Sequence, residues 1–379
     1  MTQTPAPSSS VSTGEHARRY RGQVVYLYAF DMAYDMKREP ITTLLGQPVT
    51  TYAPLQDKRS PRELFFHQPR VVRLPEARWE TPWGDAAVQR TVKLFAVGAL
   101  SVSVCVPYEV GSLAELVSLH EFGMAHEEAS RIAERVLEEL RPSLIRPTAA
   151  LRDEEAYIAF CLDWPMSRGE HGGGDTAETW LGRHQREVAA LLMQEEDAAA
   201  LAEQEIRETV EQRLSYYTHD LAVIDWDAAL LVDRPGQFND TLHVIELANV
   251  QLAELTAYDT LLDRALQPAY DNLRGIRARP GRAIKALREL RIDMARLNDE
   301  LNNTTKFFGD WHLARIYQAL SRRFHLGDWQ ETVNGKLRTL DDLYRLVRQD
   351  QMNFWMMVLE ATIVVLFLID LALIVFLGK

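Results

Sequence analysis

The chain has 379 residues, 54 Asp and Glu against 42 Lys and Arg, and a formal net charge of -12. That length supports two or three domains with sizeable cores, and the acidic balance argues against a general nucleic-acid binder while leaving room for a local basic patch. Two cysteines, Cys105 and Cys161, each flanked by apolar residues, read as buried thiols of a reducing compartment; a disulfide framework or a cysteine metal site is excluded by count.

In chain order, residues 1–22 are rich in Ser, Thr and Pro and lack the apolar core of a signal peptide, so a disordered leader is expected. An α+β domain is expected over 23–166. It opens with the buried-strand run "QVVYLYAF", continues with "VVRL" at Val71, and then shows the pair "TVKLFAV" and "ALSVSVCV" meeting near Gly98. In the last of these, Val102, Val104 and Val106 alternate with Ser101, Ser103 and Cys105, the period of a sheet packed on one side. Helical spacing predicts a helix over Glu127–Leu140, and "AYIAFCLDW" returns to strand.

Residues 167–238 read as a helical arm. A glycine-rich loop precedes a long helix from about Ala177 to Tyr217, and a strand near 221–233 returns to the first domain. Residues 239–351 read as a helical hairpin or coiled coil: Leu287, Leu290, Met294, Leu297 and Leu301 are spaced 3, 4, 3, 4, and Val333, Leu337, Leu340, Tyr344 and Val347 are spaced 4, 3, 4, 3. Residues 352–379 read as a membrane tail anchor. The fold class is therefore an α+β N-terminal domain, a long-helix, coiled-coil-like region and one C-terminal transmembrane helix.

Between Phe354 and Leu377 lie 24 residues, apolar except for Glu360, Thr362 and Asp370, which is roughly 36 Å of helix at about 1.5 Å per residue. Sixteen of them are Leu, Ile, Val or Phe. Each of these favours insertion by about 0.3–0.6 kcal/mol, whereas each acid near the centre costs about 2.5–3.5 kcal/mol. The two terms nearly cancel, so the acids need partners. Ten residues apart, they project about 80° apart on one helix, and in an oligomer their carboxyls can bond across helices. Glu360 and Asp370 thus mark an assembly face. Lys336, Arg338, Arg345 and Arg348 flank the span, and the positive-inside rule places the bulk of the chain in the cytoplasm, or in the matrix of a mitochondrion.

Motifs for catalysis or cofactors are sparse. GxxxxGK[ST] and GxGxxG are absent. His120 and His126 lie six apart, not at the one-face spacing of a zinc helix. "HGGGD" at His171 lacks an accompanying GxSxG elbow and reads as linker. Asp225, Asp227 and Asp233 alternate along a predicted strand, where Asp225 and Asp227 could share a divalent cation if a third ligand converged. No catalytic residue, metal site or cofactor is assigned. Charge is segregated: Gln194–Glu211 holds seven acids against Arg207, while Arg277, Arg279, Arg282, Lys285, Arg288 and Arg291 form a basic run suited to solvent pairing, anionic lipid or ribosomal RNA.

Three stretches carry a resemblance: "VKLFAVGALSVSV", the helical block containing Phe307, Phe308, Trp311, Tyr317, Asn334, Leu337 and Leu343, and "LEATIVVLFLID" with its two acids. On these the chain resembles the family named for "required for meiotic nuclear division", also called the sporulation-protein family. The resemblance implies a membrane-anchored homo-oligomer without known catalysis, whose eukaryotic relatives sit at the mitochondrial inner membrane and support translation. The expected function is a non-enzymatic, tail-anchored scaffold that pairs with itself and shows its α+β domain to a cytoplasmic protein or the ribosome. Two rivals remain: an ion- or proton-conducting oligomer using Glu360 and Asp370, and a metal-dependent enzyme in the N-terminal domain.

Overall fold

The computed structural model describes residues 20–37, 39–52, 69–148, 151, 154–165, 176–274, 292 and 311–377. Elements are numbered in chain order. The run from Val24 to Phe30 forms the middle of β1 (Tyr20–Asp31) and is buried without a break, as a strand covered on both faces must be. β1 begins inside the segment expected to be leader. It lies antiparallel between β9 (Ala99–Val110) and β11 (Glu155–Asp163).

β9 forms a hairpin with β8 (Gly84–Leu94), and Gly98 closes it at a φ of 97°, which glycine takes without strain. Beyond β8 lie β6 (Arg70–Arg73) and β5 (Thr50–Thr51), while β7 (Ala77–Thr81) pairs with the opening of β8. On the other side, β11 pairs in parallel with β14 (Ala228–Asp233), followed by β13 (Leu221–Ile224) and β12 (Arg213–Leu214). The result, among the described residues, is a ten-stranded sheet. Two small pairs flank it: β2 (Ala33–Met36) with β10 (Leu144–Pro147), and β3 (Thr43–Leu44) with β4 (Gln47–Pro48).

One sheet face, formed by Val24, Tyr26, Val102, Val104, Val106 and Phe160, packs against α1 (Gly123–Leu140) and α2 (Ala177–Leu192). The opposite face is covered as well, so the alternating Val and Ser pattern of β9 does not mark a side left to water. Leu27, Tyr157, Cys161, Ile224 and Leu231 meet α4 (Asn239–Arg274), α5 (Trp311–Arg323) and the start of α6 (Leu326–Leu377) in a second core. Val333, Leu337 and Leu340 of the predicted seam are buried there together with Leu255, Tyr258 and Leu262 of α4. The earlier seam, Leu287 to Leu301, lies outside the described residues.

Two expectations are corrected. The helix foreseen from Ala177 to Tyr217 ends at Leu192 and resumes only as α3 (Glu203–Glu211). Gln194 takes a left-handed φ of 57°, Asp197 caps a short turn by accepting from the Ala199 N–H, and Arg186 donates to the carbonyls of Ala198 and Leu201 at 3.1 and 2.9 Å, folding that turn back onto α2. The strand foreseen near 221–233 is two antiparallel strands, β13 and β14, with Asp225, Trp226 and Asp227 in the turn. That turn is closed by the Asp225 N–H donating to the Ala228 carbonyl at 2.9 Å.

Candidate functional site

α6 is one uninterrupted helix of 52 residues with two environments. Its first turns belong to the back-face core through Val333, Leu337 and Leu340, and Lys336 bridges Asp259 and Asp263 of α4 at 2.7 Å each. From Met352 to Leu373 the same helix is apolar, long enough to cross a membrane, and nowhere buried. Exposed large apolar surface of this extent is not maintained in water by a soluble monomer. Phe354 and Trp355, edge to face at 6.3 Å, stand where the apolar stretch begins, a position suited to an interfacial aromatic pair.

Glu360 and Asp370 are both exposed within this stretch. At 100° per residue, Glu360 points about 180° and Asp370 about 100° from the mean direction of Val333, Leu337 and Leu340. Glu360 therefore faces away from the chain's own core, and Asp370 points to one side of it. Above the apolar stretch the same outer flank carries Asp342, Gln349 and Asn353 beside Leu346, all exposed.

Of the helical-block residues singled out in the sequence, Tyr317 and Leu337 are core: the Tyr317 hydroxyl donates to the Gln251 Oε1 at 2.6 Å, and Leu337 packs with α4. Asn334 is half-buried on α6, and Trp311 is 74% exposed at the start of α5. The structure thus brings Tyr317 and Leu337 into one core and leaves Trp311 on the surface. Phe307, Phe308 and the basic run Arg277, Arg279, Arg282, Lys285, Arg288 and Arg291 lie outside the described residues, as does His171.

The turn between β13 and β14 brings Asp225, Asp227 and His120 within electrostatic reach of one another, and His126 pairs elsewhere. Asp225 meets Arg323 of α5 at 3.5 Å; burial pushes its carboxyl above the usual range and the guanidinium opposes that. Asp227 is also raised by burial, with His120 acting the other way. The His120 Nε2 sits 2.6 Å from the Leu191 carbonyl, and burial lowers its pKa, whereas His126 pairs with Glu154 at 3.0 Å. Among the described residues no group of three or more His, Cys, Asp or Glu is placed to hold a metal ion.

Sequence reasoning missed the buried polar side chains of α4. Glu246, Asn249, Gln251 and Glu254 are all buried on one helix. Glu246 pairs with Lys93 of β8 and accepts from the Ser101 hydroxyl of β9 at 2.6 Å. The Lys93 ammonium also sits 5.0 Å over the Tyr52 ring, and the Tyr52 hydroxyl donates to Asp240 at 3.3 Å. The Asn249 side chain donates to the Glu155 carbonyl at 2.8 Å. Glu246 answers the β8–β9 hairpin, Asn249 answers β11 and Gln251 accepts from Tyr317 of α5, which fixes the axial setting of this helix against the sheet and α5. The only sequence signal was an amphipathic pattern too weak for a surface helix.

The family described as "Uncharacterized protein MJ0711, N-terminal domain" matches residues 21–239. The chain belongs to that family. The match runs from the start of β1 to the first residue of α4, and so takes in the sheet and its front helices. A relative from Methanocaldococcus jannaschii, "Uncharacterized protein MJ0711", is 29% identical over 174 residues, 45% of this chain and 54% of its own length. The chain thus spans about half the length of that relative. No solved structure matches it.

Proposed function

We propose that the protein is a single-span membrane protein that self-associates through its apolar helix and holds its α/β domain above the membrane for a partner. The observation that supports this reading is the continuity of α6: a helix locked to the core by Leu337 and Lys336 runs without a break into an exposed apolar stretch. A span attached in this way turns with the domain, so the position of the sheet follows that of the helix in the bilayer. Glu360 and Asp370 are both exposed and so open to other copies, where carboxyls find the hydrogen-bond partners that lipid withholds. The bases Lys336, Arg338 and Arg345 beside the apolar stretch favour the cytoplasmic or matrix side for the domain.

The resemblance to the "required for meiotic nuclear division" family favours the same scaffold reading and suggests a partner in translation; anionic lipid is a second surface the basic run would fit. Crosslinking of the full chain in detergent and in native membranes tests self-association. A discrete oligomer is expected, and a species that stays monomeric after crosslinking overturns it. Pull-down from membranes followed by mass spectrometry then reads the partner.

The two carboxyls set in the apolar stretch, Glu360 and Asp370, favour one second reading, an ion- or proton-conducting oligomer. It requires that Asp370→Asn abolish flux in liposomes while assembly persists.

A further inference from the structure

Only Phe324 and His325 separate α5 from α6, and with Arg323 before them they form an elbow. The His325 N–H closes α5 by donating to the Arg322 carbonyl at 3.2 Å, and its carbonyl opens α6 by accepting from the Trp329 N–H at 3.0 Å. It does both at a φ of 50°, the left-handed region where a side chain is strained and glycine is the usual residue past a helix end. Glycine there would lose two contacts: the imidazole lies 5.5 Å from the Trp226 ring, and its Nδ1 is 2.9 Å from Asp328 Oδ2. All three elbow residues meet one corner of the sheet. Arg323 faces Asp225 at 3.5 Å, Phe324 packs edge to face on Tyr157 at 5.2 Å, and His325 meets Trp226, while the Tyr157 hydroxyl donates to the Asp225 carbonyl at 3.0 Å. The fit of Arg323 is incomplete: Nη2 donates to the Glu208 carbonyl at 2.9 Å, but Nε is buried without a hydrogen-bond partner among the described residues. A left-handed residue other than glycine and an unmet buried N–H, two positions apart, mark a joint that its surroundings hold in place.

The turn that grips the elbow is itself gripped from the other face of the sheet. Its Asp227 carbonyl accepts from the Ile158 N–H of β11 at 3.1 Å, and the Asp227 carboxylate lies within electrostatic reach of His120. The His120 ring lies 5.1 Å from Phe160 in the front core, and its Nε2 is 2.6 Å from the carbonyl of Leu191, in the last turn of α2. A row of neighbours therefore runs from Leu191 through His120, Asp227, Trp226 and His325 to Asp328, from the front helix to the head of α6. We propose that the β13–β14 turn is a relay through which displacement of the end of α2 loosens the elbow at the head of α6. Such a row carries coupling only where one member has two arrangements. His325 is that member: its backbone is left-handed while Trp226 and Asp328 hold the ring, and relaxes once they let go, which releases the first turn of α6. The seam of Leu337 and Leu340 with α4 stays closed in both arrangements, so the change is confined to the elbow and the turn after it. The outer end of the row reaches solvent, since Met193 and Gln194 just past α2 are exposed. The relay holds whether or not copies of the chain associate.

Hydrogen–deuterium exchange of the full chain in detergent, read by mass spectrometry, tests the relay. His120→Phe keeps a ring against Phe160 but removes the bond to Leu191 and the partner of Asp227. Amide exchange across His325 to Thr332 should then rise by about tenfold, with β1 and β9 unchanged. His120→Gln, whose amide restores a donor for the Leu191 carbonyl, should bring the elbow back toward the exchange of the unmodified chain. Trp226→Ala, at a position 56% exposed, should loosen the same amides directly, and adding His120→Phe to it should loosen them no further. Elbow amides untouched by His120→Phe overturn the relay. A further rise when His120→Phe is added to Trp226→Ala overturns it too, because the two faces then act independently. Should His120→Phe unfold the chain, which faster exchange in β1 and β9 would show, Asp227→Asn replaces it with the same expected rise at the elbow, and an unmoved elbow in that variant is equally fatal.

Discussion

Lys93 and Glu246, 153 residues apart in sequence, form an ion pair in the interior of the protein, where Ser101 completes the carboxylate's hydrogen bonding. The pair joins the β8–β9 hairpin to α4, and α4 in turn carries α6. Lys93→Met leaves a buried carboxylate without its cation, and the expected loss is about 3–5 kcal/mol. Lys93→Met combined with Glu246→Leu removes both charges and should recover most of that loss. Denaturant unfolding of the full chain in detergent, followed by intrinsic fluorescence, measures both; a double variant as unstable as the single one contradicts the assignment.

A second prediction concerns the close approach of β1 and β11. A Cβ added at Gly22 would stand 1.9 Å from the Cys161 carbonyl oxygen, which also accepts from the Tyr108 hydroxyl at 3.0 Å. Tyr108→Phe should cost about 1 kcal/mol, the typical worth of one such bond. Gly22→Ala should cost more, since backbone of the central strands must shift. Thermal unfolding of the two variants side by side gives the order, and Gly22→Ala milder than Tyr108→Phe would be the wrong one.

The attachment of α6 to α4 is apolar before it is ionic. Leu337→Ala should lose about 2–5 kcal/mol through the lost contacts and the cavity left behind. Lys336→Met, which removes a partly exposed clamp on Asp259 and Asp263, should lose no more than about 1 kcal/mol, and that loss should shrink in high salt. Unfolding midpoints at low and high ionic strength separate the two, and a Lys336→Met effect as large as that of Leu337→Ala would show the reverse balance.

Asp31, at the end of β1, gives a pH signature. Burial raises its carboxyl from 3.8 to about 6, against a bond from the Ala33 backbone that works the other way. Between those values the folded chain holds a proton that the unfolded chain has released. Asp31 therefore favours folding most below about pH 3.8, and its contribution falls as the pH rises toward 6. Asp31→Asn should flatten that part of the stability profile. Unfolding midpoints taken from pH 4 to pH 7 read it, and an unchanged slope in the variant rules out Asp31 as the group.

Where the sequence carried strong periodicity or glycine punctuation, the fold was legible. The run Val24–Phe30 could only be a strand buried on both sides, and Gly98 announced the β8–β9 hairpin. The β13–β14 turn was hidden because Asp225, Trp226 and Asp227 contain neither Gly nor Pro, so two short strands read as one. The burial of α4 was hidden for a different reason. Glu246, Asn249, Gln251 and Glu254 look like residues of a solvated helix, and only partners as far away in sequence as Lys93 place them inside. Glu360 and Asp370 were legible as acids in an apolar helix, but their directions relative to the core depend on Val333, Leu337 and Leu340 facing α4, which only the packing reveals.

The central claim is that the second half of α6 resides in lipid while its first half belongs to the folded domain. Flotation of the full chain with vesicles after alkaline carbonate extraction tests this most directly, alongside a variant in which Val364→Arg and Leu368→Arg place two cations at the middle of the apolar stretch. The full chain is expected to float with the lipid fraction, and the doubly charged variant to be released. Recovery of the unmodified chain in the carbonate supernatant would contradict the account.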